Sequence, residues 1–239
     1  MPRILVLTPC ATDDTRALAN RSLPLGAGTT LTYRAVPAPH GPAATFFDAA
    51  LEDLAVFGAG ANAQEDGFDA VCVHSLNEGG AAALRSVLDI LVLCTGKAAA
   101  LHALSVGARF SFIVDSPAAS ELLRSHLRQW GLTSQCASVR VALPTDPAAM
   151  RDAVERCANE DGAEAVCLGS SASTPIVDDL GLTAGIPVID PLAVGCQLVE
   201  SLLAVGLSHS RTASPRPLVP KVRTLQAMAG VAASPPEPN

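Results

Sequence analysis

The 239-residue chain carries 16 lysines and arginines against 23 acidic residues, a formal net charge of −7. That balance excludes a general nucleic-acid binder, which needs a basic footprint to meet the phosphate field. Apolar residues make up 49% and charged residues 16%, enough for a buried core, while aromatics at 3% leave aliphatic side chains and alanine to fill it and provide little material for base-stacking platforms.

In chain order, Ile4–Leu7 reads as a buried strand ending at Thr8-Pro9, and Thr12-Asp13-Asp14 as a capped helix start with acids in its first turn. Leu31–Val36 is a weaker strand. Ala70–Val73 is a strand followed by a helix over Gly79–Leu88, and Leu91–Leu93 a strand followed by a helix over Lys97–Leu104. Phe110–Val114 is a strand, after which Ser116-Pro117 opens a helix with a cap and a proline at the first position. Val139–Leu143 is a strand, and Asp146-Pro147 opens a helix running to about Ala158. Ala165–Leu168 is a strand, Thr174-Pro175 opens a helix, Val188–Ile189 is a strand and Leu192–Val205 a helix. Near-continuous apolar strands alternating with helices predict parallel sheets covered on both faces. Ala232–Asn239, with Ser-Pro-Pro-Glu-Pro, reads as a disordered tail.

Seven cysteines occur, at 10, 72, 94, 136, 157, 167 and 196. The number is odd, and a chain of this size needs no disulfide framework. No Cys-x-x-Cys or Cys/His cluster at zinc spacing is present, so no metal is expected. The apolar run at the N-terminus is too short for a signal peptide, and no stretch approaches a membrane span. A reduced, soluble, cytoplasmic protein follows, with neither nucleic acid nor membrane as partner.

An internal repeat organises the chain. Residues 65–75, Glu-Asp-Gly-Phe-Asp-Ala-Val-Cys-Val-His-Ser, match residues 160–170, Glu-Asp-Gly-Ala-Glu-Ala-Val-Cys-Leu-Gly-Ser, at seven of eleven positions. The repeat predicts an α/β protein of two pseudo-symmetric half-domains, each a short, mostly parallel sheet flanked by helices, with the site in the cleft between them. The first half-domain takes residues 1–98 plus 206–228 and the second residues 99–205. The repeated strands end in Ser75 and Ser170, and open α/β sheets bind ligands beyond the carboxyl ends of their strands. Cys72 and Cys167 occupy equivalent mid-strand positions and read as inert core residues. Cys136 falls at a loop start, and Cys157 and Cys196 in helices.

Several segments together resemble the aspartate/glutamate racemase superfamily, and within it the hydantoin racemase branch. These are Met1–Pro9, Gly41-Pro42 with Asp48-Ala49-Ala50-Leu51, Asp66–Ser75, Asp161–Ser170 and Ile186-Pro187-Val188-Ile189-Asp190, spread over roughly residues 1–210. The resemblance implies cofactor-independent chemistry: two cysteines, one from each half, face opposite sides of a substrate stereocentre, one removing a proton and the other supplying one. The positions that align with those cysteines are Ser75 and Ser170. A hydroxyl is a far weaker acid than a thiol and needs an activating partner to serve as a base. The neighbours depart too, as His74-Ser75-Leu76-Asn77-Glu78-Gly79 and Gly169-Ser170-Ser171-Ala172, which favours divergence over an engineered pair of substitutions.

Ser75, Asn77, Ser170 and Ser171 lie in strand-to-helix loops, where hydroxyls and N–H groups bind a carboxylate or enolate oxygen, or else simply cap helices. Thr8, Pro9, Ala11 and Thr12 of the first loop, with His74, are further substrate-binding candidates. Cys10 and Cys94, each following a strand, are the thiols placed to replace the missing pair; the alternative is a buried filler. A single thiol opposite a hydroxyl would resemble the superfamily's decarboxylases. A His74–Ser75 dyad requires the strand to end there, since adjacent strand residues face opposite sides. Glu78 and Lys97 are candidate bases or counter-charges, Lys97 falling where hydantoin racemases usually carry Glu. His102 reads as packed or solvated and Asp190 as a helix cap. The expected function is an isomerase acting through a carbanion or enolate of a small carboxylate- or amide-bearing substrate. A decarboxylase or other carbon–carbon lyase, and a non-catalytic small-molecule binder, are the alternatives. The resemblance also makes a homo-oligomer an expectation.

Overall fold

The run Ile4–Leu7 forms the middle of strand β1 (Arg3–Thr8), fully buried from Ile4 onward. A computed structural model describes residues 1–9, 12–36, 45–169, 180 and 184–232. The chain divides into two compact units, residues 1–95 with 195–239, and residues 96–194.

In the first unit β1 is joined by β2 (Thr30–Ala35), β3 (Ala70–Val73) and β4 (Leu91–Cys94) in a parallel sheet of order β2-β1-β3-β4. Helices α1 (Thr12–Ala19), α2 (Phe46–Gly60) and α3 (Ala81–Val87) connect these strands. In the second unit β5 (Phe110–Val114), β6 (Cys136–Val141), β7 (Ala165–Leu168) and β8 (Val188–Ile189) form a parallel sheet of order β6-β5-β7-β8. Helices α4 (Thr95–Val106), α5 (Pro117–Trp130) and α6 (Pro147–Asn159) follow β4, β5 and β6, and α7 (Pro191–Ala204) and α8 (Val222–Ala232) complete the described helices. Both sheets thus place their strands in the same order, and the fold is the α/β architecture of paired parallel sheets that the repeat predicts.

Side chains alternate across each strand, so one sheet feeds two cores. Leu5 and Leu7 of β1, Val71 and Val73 of β3, and Val92 and Cys94 of β4 pack with Ala55, Val56 and Phe57 of α2 and Leu84 of α3. Val222 and Leu225 of α8 close over that cluster. Cys72, of opposite parity, is fully buried and hydrogen-bonds Cys196 of α7. That contact first, and burial second, push the Cys72 thiol well above its ordinary range. Burial does the same to Cys167. Both residues are buried in the core, as their mid-strand positions predict. Cys157 is buried on α6 against Met150, Ala153 and Ile113.

The repeat explains itself at the other end of its strands. Gly67 and Gly162 both take left-handed φ, +78° and +69°, which only glycine adopts without strain. Arg34 pairs in register with Leu7 and Arg140 with Ile113, equivalent places on the outer strands β2 and β6. Arg34 reaches Asp66 at 3.5 Å, and Arg140 reaches Asp161 at 2.6 Å and Glu160 at 2.7 Å. The identical Glu-Asp-Gly triplets therefore lock outer strands to their sheets.

Helices α5 and α6 start as predicted: Ser116 Oγ accepts from Ala119 N at 3.2 Å, and Asp146 Oδ1 accepts from Ala148 N and Ala149 N at 3.0 Å. Other boundaries differ. Cys136 is the first residue of β6, not a loop residue, and the strand is shifted towards the N-terminus relative to Val139–Leu143. It is an outer strand, half-buried along most of its length, so the continuous apolar run betrays only part of it. Burial pushes the Cys136 thiol up to about 11. Helix α3 begins at Ala81, because Gly80 takes φ +66° before it. Thr12 is the first helical residue of α1. Helices α2 and α8 answer to no predicted element. The first is fixed by a capping box, Thr45 Oγ1 accepting from Asp48 N and Asp48 Oδ2 from Thr45 N. Ala232 closes α8 rather than opening a tail, and residues 233–239, like the helix expected at Thr174-Pro175, lie outside the described residues.

Candidate active site

The parallel sheet of the first unit delivers several predicted residues to one edge. Thr8 ends β1, His74 and Ser75 follow β3, and Cys94 ends β4, with Leu7, Val73 and Cys94 side by side in register. The ladder runs one step past β3, where His74 N donates to Leu7 O at 2.8 Å, and the chain then turns as Ser75 N donates back to Val73 O at 3.0 Å. That turn separates the two neighbours. His74 Nδ1 meets Thr95 Oγ1 at 3.2 Å, while Ser75 Oγ turns to Glu52 Oε1 at 3.3 Å. A His74–Ser75 dyad therefore does not form; the Ser75 hydroxyl has the Glu52 carboxyl and the Asn77 carbonyl within reach.

Glu52 belongs to α2 and sits in the stripe Glu52, Ala55, Val56, Gly60 that faces the sheet. It is 8% exposed. Burial raises its carboxyl to about 7, the Ser75 hydrogen bond working against that rise and the neighbouring Asp53 charge adding to it. No motif in the sequence pointed to Glu52. The legible signal is a single acid at the spacing of an otherwise apolar helical face.

The loop after Ser75 brings α2 close. A Cβ on Gly79 would stand 3.0 Å from Glu52 Oε1, and one on Gly80 would stand 2.7 Å from the Asp53 carbonyl oxygen. Gly80 N donates to Asp53 Oδ1 at 2.8 Å. Two glycines thus hold helix and loop in contact, which is the physical use of Gly79 in the segment His74–Gly79. Asn77 N donates to Ser75 Oγ at 3.2 Å, and Ser75 Oγ lies 3.3 Å from Asn77 O. Asn77 Oδ1 and Glu78 Oε1 are buried acceptors with no hydrogen-bond partner among the described residues. The other oxygen of Glu78 is ion-paired with Arg85. Cys94, 1% exposed, donates its thiol to Ser75 O at 3.0 Å, and Thr95 Oγ1 donates to the same carbonyl at 3.4 Å.

The remaining candidates divide. Thr8 is fully buried, its hydroxyl shared with Thr15 at 2.7 Å and 3.2 Å from Arg34 O, and Pro9 follows it half-buried. Lys97 is exposed on α4, and His102 Nδ1 meets Ala98 O of its own helix at 2.9 Å. Asp190 follows β8 at the register Cys94 takes in the first sheet, and caps α7, accepting from Leu192 N at 2.9 Å. Cys10, Ala11, Ser170 and Ser171 lie outside the described residues, as does the side chain of Thr12. Among the described residues no three His, Cys, Asp or Glu side chains gather to hold a metal ion, and no helix is long and apolar enough to cross a membrane.

Comparison with known proteins gives the family and the fold. The profile of the family described as Asp/Glu/Hydantoin racemase matches residues 4–199. A hydantoin racemase of Paenarthrobacter aurescens is 29% identical over 226 residues, covering 89% of this chain and 95% of its own. The structure of an allantoin racemase from Klebsiella pneumoniae superposes with a TM-score of 0.81 at 25% identity, over 94% of this chain and 99% of its own. An unliganded arylmalonate decarboxylase shares the fold, with a TM-score of 0.61 at 18% identity over 90% of this chain and 99% of its own.

Proposed function

Because the chain belongs to the Asp/Glu/hydantoin racemase family, we propose that it is an isomerase that inverts an acidic carbon next to a carboxylate or amide through a carbanion or enolate. The observation that carries this reading is the Ser75 hydroxyl, at the carboxyl end of β3, hydrogen-bonded to the buried Glu52 carboxyl at 3.3 Å. Ser75 stands where the resemblance puts one thiol of the family, and Ser170 where it puts the other. A hydroxyl alone is too weak an acid for the task, and a carboxyl near neutrality beside it is the kind of activating partner it requires. Asn77 Oδ1 and Glu78 Oε1 support a substrate bearing N–H groups, such as a cyclic ureide, since each is a buried acceptor in want of a donor. No cofactor enters this reading. Hydantoin racemase and allantoin racemase, the activities named for two relatives, act on substrates of that kind.

The test is α-proton exchange in D₂O with a panel of hydantoins, α-amino acids and substituted malonates. Deuterium entering the α-carbon of hydantoins or amino acids supports the isomerase. Release of CO₂ from malonates moves the reaction to decarboxylation on the same scaffold. Tight binding with neither makes the chain a small-molecule binder. Cys10→Ala and Cys94→Ala, both retaining full turnover, would exclude replacement thiols.

A further inference from the structure

Resting on the functional reading above, we infer that Glu52 is a positioning residue that stores the proton Ser75 exchanges with the substrate carbon. The two side chains then act as one acid–base unit. Ser75 Oγ accepts from Asn77 N at 3.2 Å, which fixes one side of the hydroxyl. Its own proton is left to point at Glu52 Oε1 or Asn77 O, each at 3.3 Å. Gly79 leaves the carboxyl its room, since a Cβ there would stand 3.0 Å from Oε1. Packing alone does not explain a glutamate in this stripe. A leucine or methionine would fill it, whereas a buried carboxyl bonded to one hydroxyl loses more hydration than it regains.

Among the described residues, three charged or titratable groups of the neighbouring segments have partners of their own. Asp53 of α2 is held by Gly80 N, Glu78 of the loop is paired with Arg85 of α3, and Cys94 of β4 turns its thiol to the Ser75 carbonyl. Asp53 adds to the rise of the Glu52 carboxyl, and burial contributes more. In the proposed step the substrate C–H bond breaks and its proton joins Ser75 Oγ, while the Ser75 proton passes to Glu52 Oε1. The electron pair stays on carbon and spreads onto the adjacent carbonyl as an enolate. The return step reverses each transfer, and exchange of the Glu52 proton with solvent admits deuterium. A carboxyl at about 7 presents both protonation states near neutral pH, so it serves either direction.

The experiment compares wild type, Glu52→Gln, Ser75→Ala and the double variant in α-proton exchange of 5-monosubstituted hydantoins. Each single change is expected to lower kcat by about 10²-fold or more with KM nearly unchanged. The double variant should be no worse than either single one, as for groups acting as a unit. The limb of the wild-type pH profile near 7 should vanish in Glu52→Gln, and Glu52→Asp should restore part of the rate. A Glu52→Gln variant with wild-type kcat and the same limb overturns the relay and leaves the functional reading intact. So does a double variant in which the two losses multiply. A wild type that exchanges nothing overturns the functional reading itself, and the relay with it. Should Glu52→Gln fail to fold by circular dichroism, Ser75→Ala and Glu52→Asp decide by the same limb.

Discussion

Ser75 Oγ and Glu52 Oε1 lie 3.3 Å apart across 23 residues of chain, the hydroxyl on the loop after β3 and the carboxyl on the buried face of α2. Burial of that carboxyl, which outweighs the opposing effect of the Ser75 hydrogen bond, makes stability depend on pH in a direction unusual for a carboxylate. Glu52 rises from 4.5 to about 7 on folding, so the folded state favours the protonated acid. The stability this lends is fully present below pH 4.5 and is lost as pH rises through 7. Urea unfolding of wild type and Glu52→Gln at pH 5 and pH 8 should show the Gln variant gaining on the wild type by about 2.5 kcal/mol at most. An equal response in both proteins would mean that Glu52 ionises as an ordinary surface acid does.

The glycine pair should separate stability from activity. Gly80 takes φ +66°, and a Cβ there would stand 2.7 Å from the Asp53 carbonyl oxygen and 2.8 Å from Val56 Cβ. Gly80→Ala is expected to cost about 2 kcal/mol or more, through strain and overpacking together. At Gly79 the added methyl meets the end of a side chain, Glu52 Oε1 at 3.0 Å, and φ is not in the left-handed region. Gly79→Ala is expected to keep most of the stability but to displace the carboxyl from Ser75 and lower exchange. Thermal melts beside exchange rates check both; a Gly79→Ala protein with wild-type exchange would show that the carboxyl need not stay in place.

The two arginines of the outer strands offer a comparison inside one molecule. Arg140 and Asp161 are each 19% exposed, joined at 2.6 and 2.8 Å, and Ser138 Oγ adds a bond to Asp161 at 2.6 Å. The Arg140 contacts hold the Asp161 carboxyl below the usual range. Arg34 and Asp66 meet at 3.5 Å and are 38% and 45% exposed. Arg140→Met should therefore cost about 2 kcal/mol, and Arg34→Met should lose less through its ion pair, about 1 kcal/mol or below. Urea midpoints decide the order, and a larger loss at Arg34 would contradict it.

Cys94 donates its thiol to the Ser75 carbonyl at 3.0 Å. If that is its whole part in turnover, Cys94→Ser, which keeps a donor, should hold kcat near the wild-type value, while Cys94→Ala loosens the loop and lowers it. Equal and severe loss in both variants would instead identify the thiol as the proton carrier. Steady-state exchange rates at saturating hydantoin distinguish the two.

Some elements are legible residue by residue because their physics is local. Ala70–Val73, Phe110–Val114 and Ala165–Leu168 are unbroken apolar runs, and a strand buried on both faces needs nothing else. Ser116-Pro117 and Asp146-Pro147 carry their own caps. Helix α2 was hidden because Phe46, Phe47, Leu51, Leu54, Val56 and Phe57 surround it with apolar side chains and blunt the contrast between its faces. Glu52 was hidden with it, since an acid in a helix counts as solvated until the burial of its face is known.

The order of apolar runs and the Glu-Asp-Gly repeat were enough to determine parallel sheets and their duplication, because strand burial, turn chemistry and helix caps depend on residues near each other in the chain. Which partner a side chain finds at a strand end was decided only by tertiary structure. Ser75 turns to Glu52 rather than to His74, and Cys94 to a carbonyl rather than to open solvent. Those outcomes depend on the parallel register that sets β3 beside β4, and on the close approach of α2 that Gly79 and Gly80 permit. The same long-range burial that brings Glu52 to Ser75 also raises its carboxyl towards neutrality.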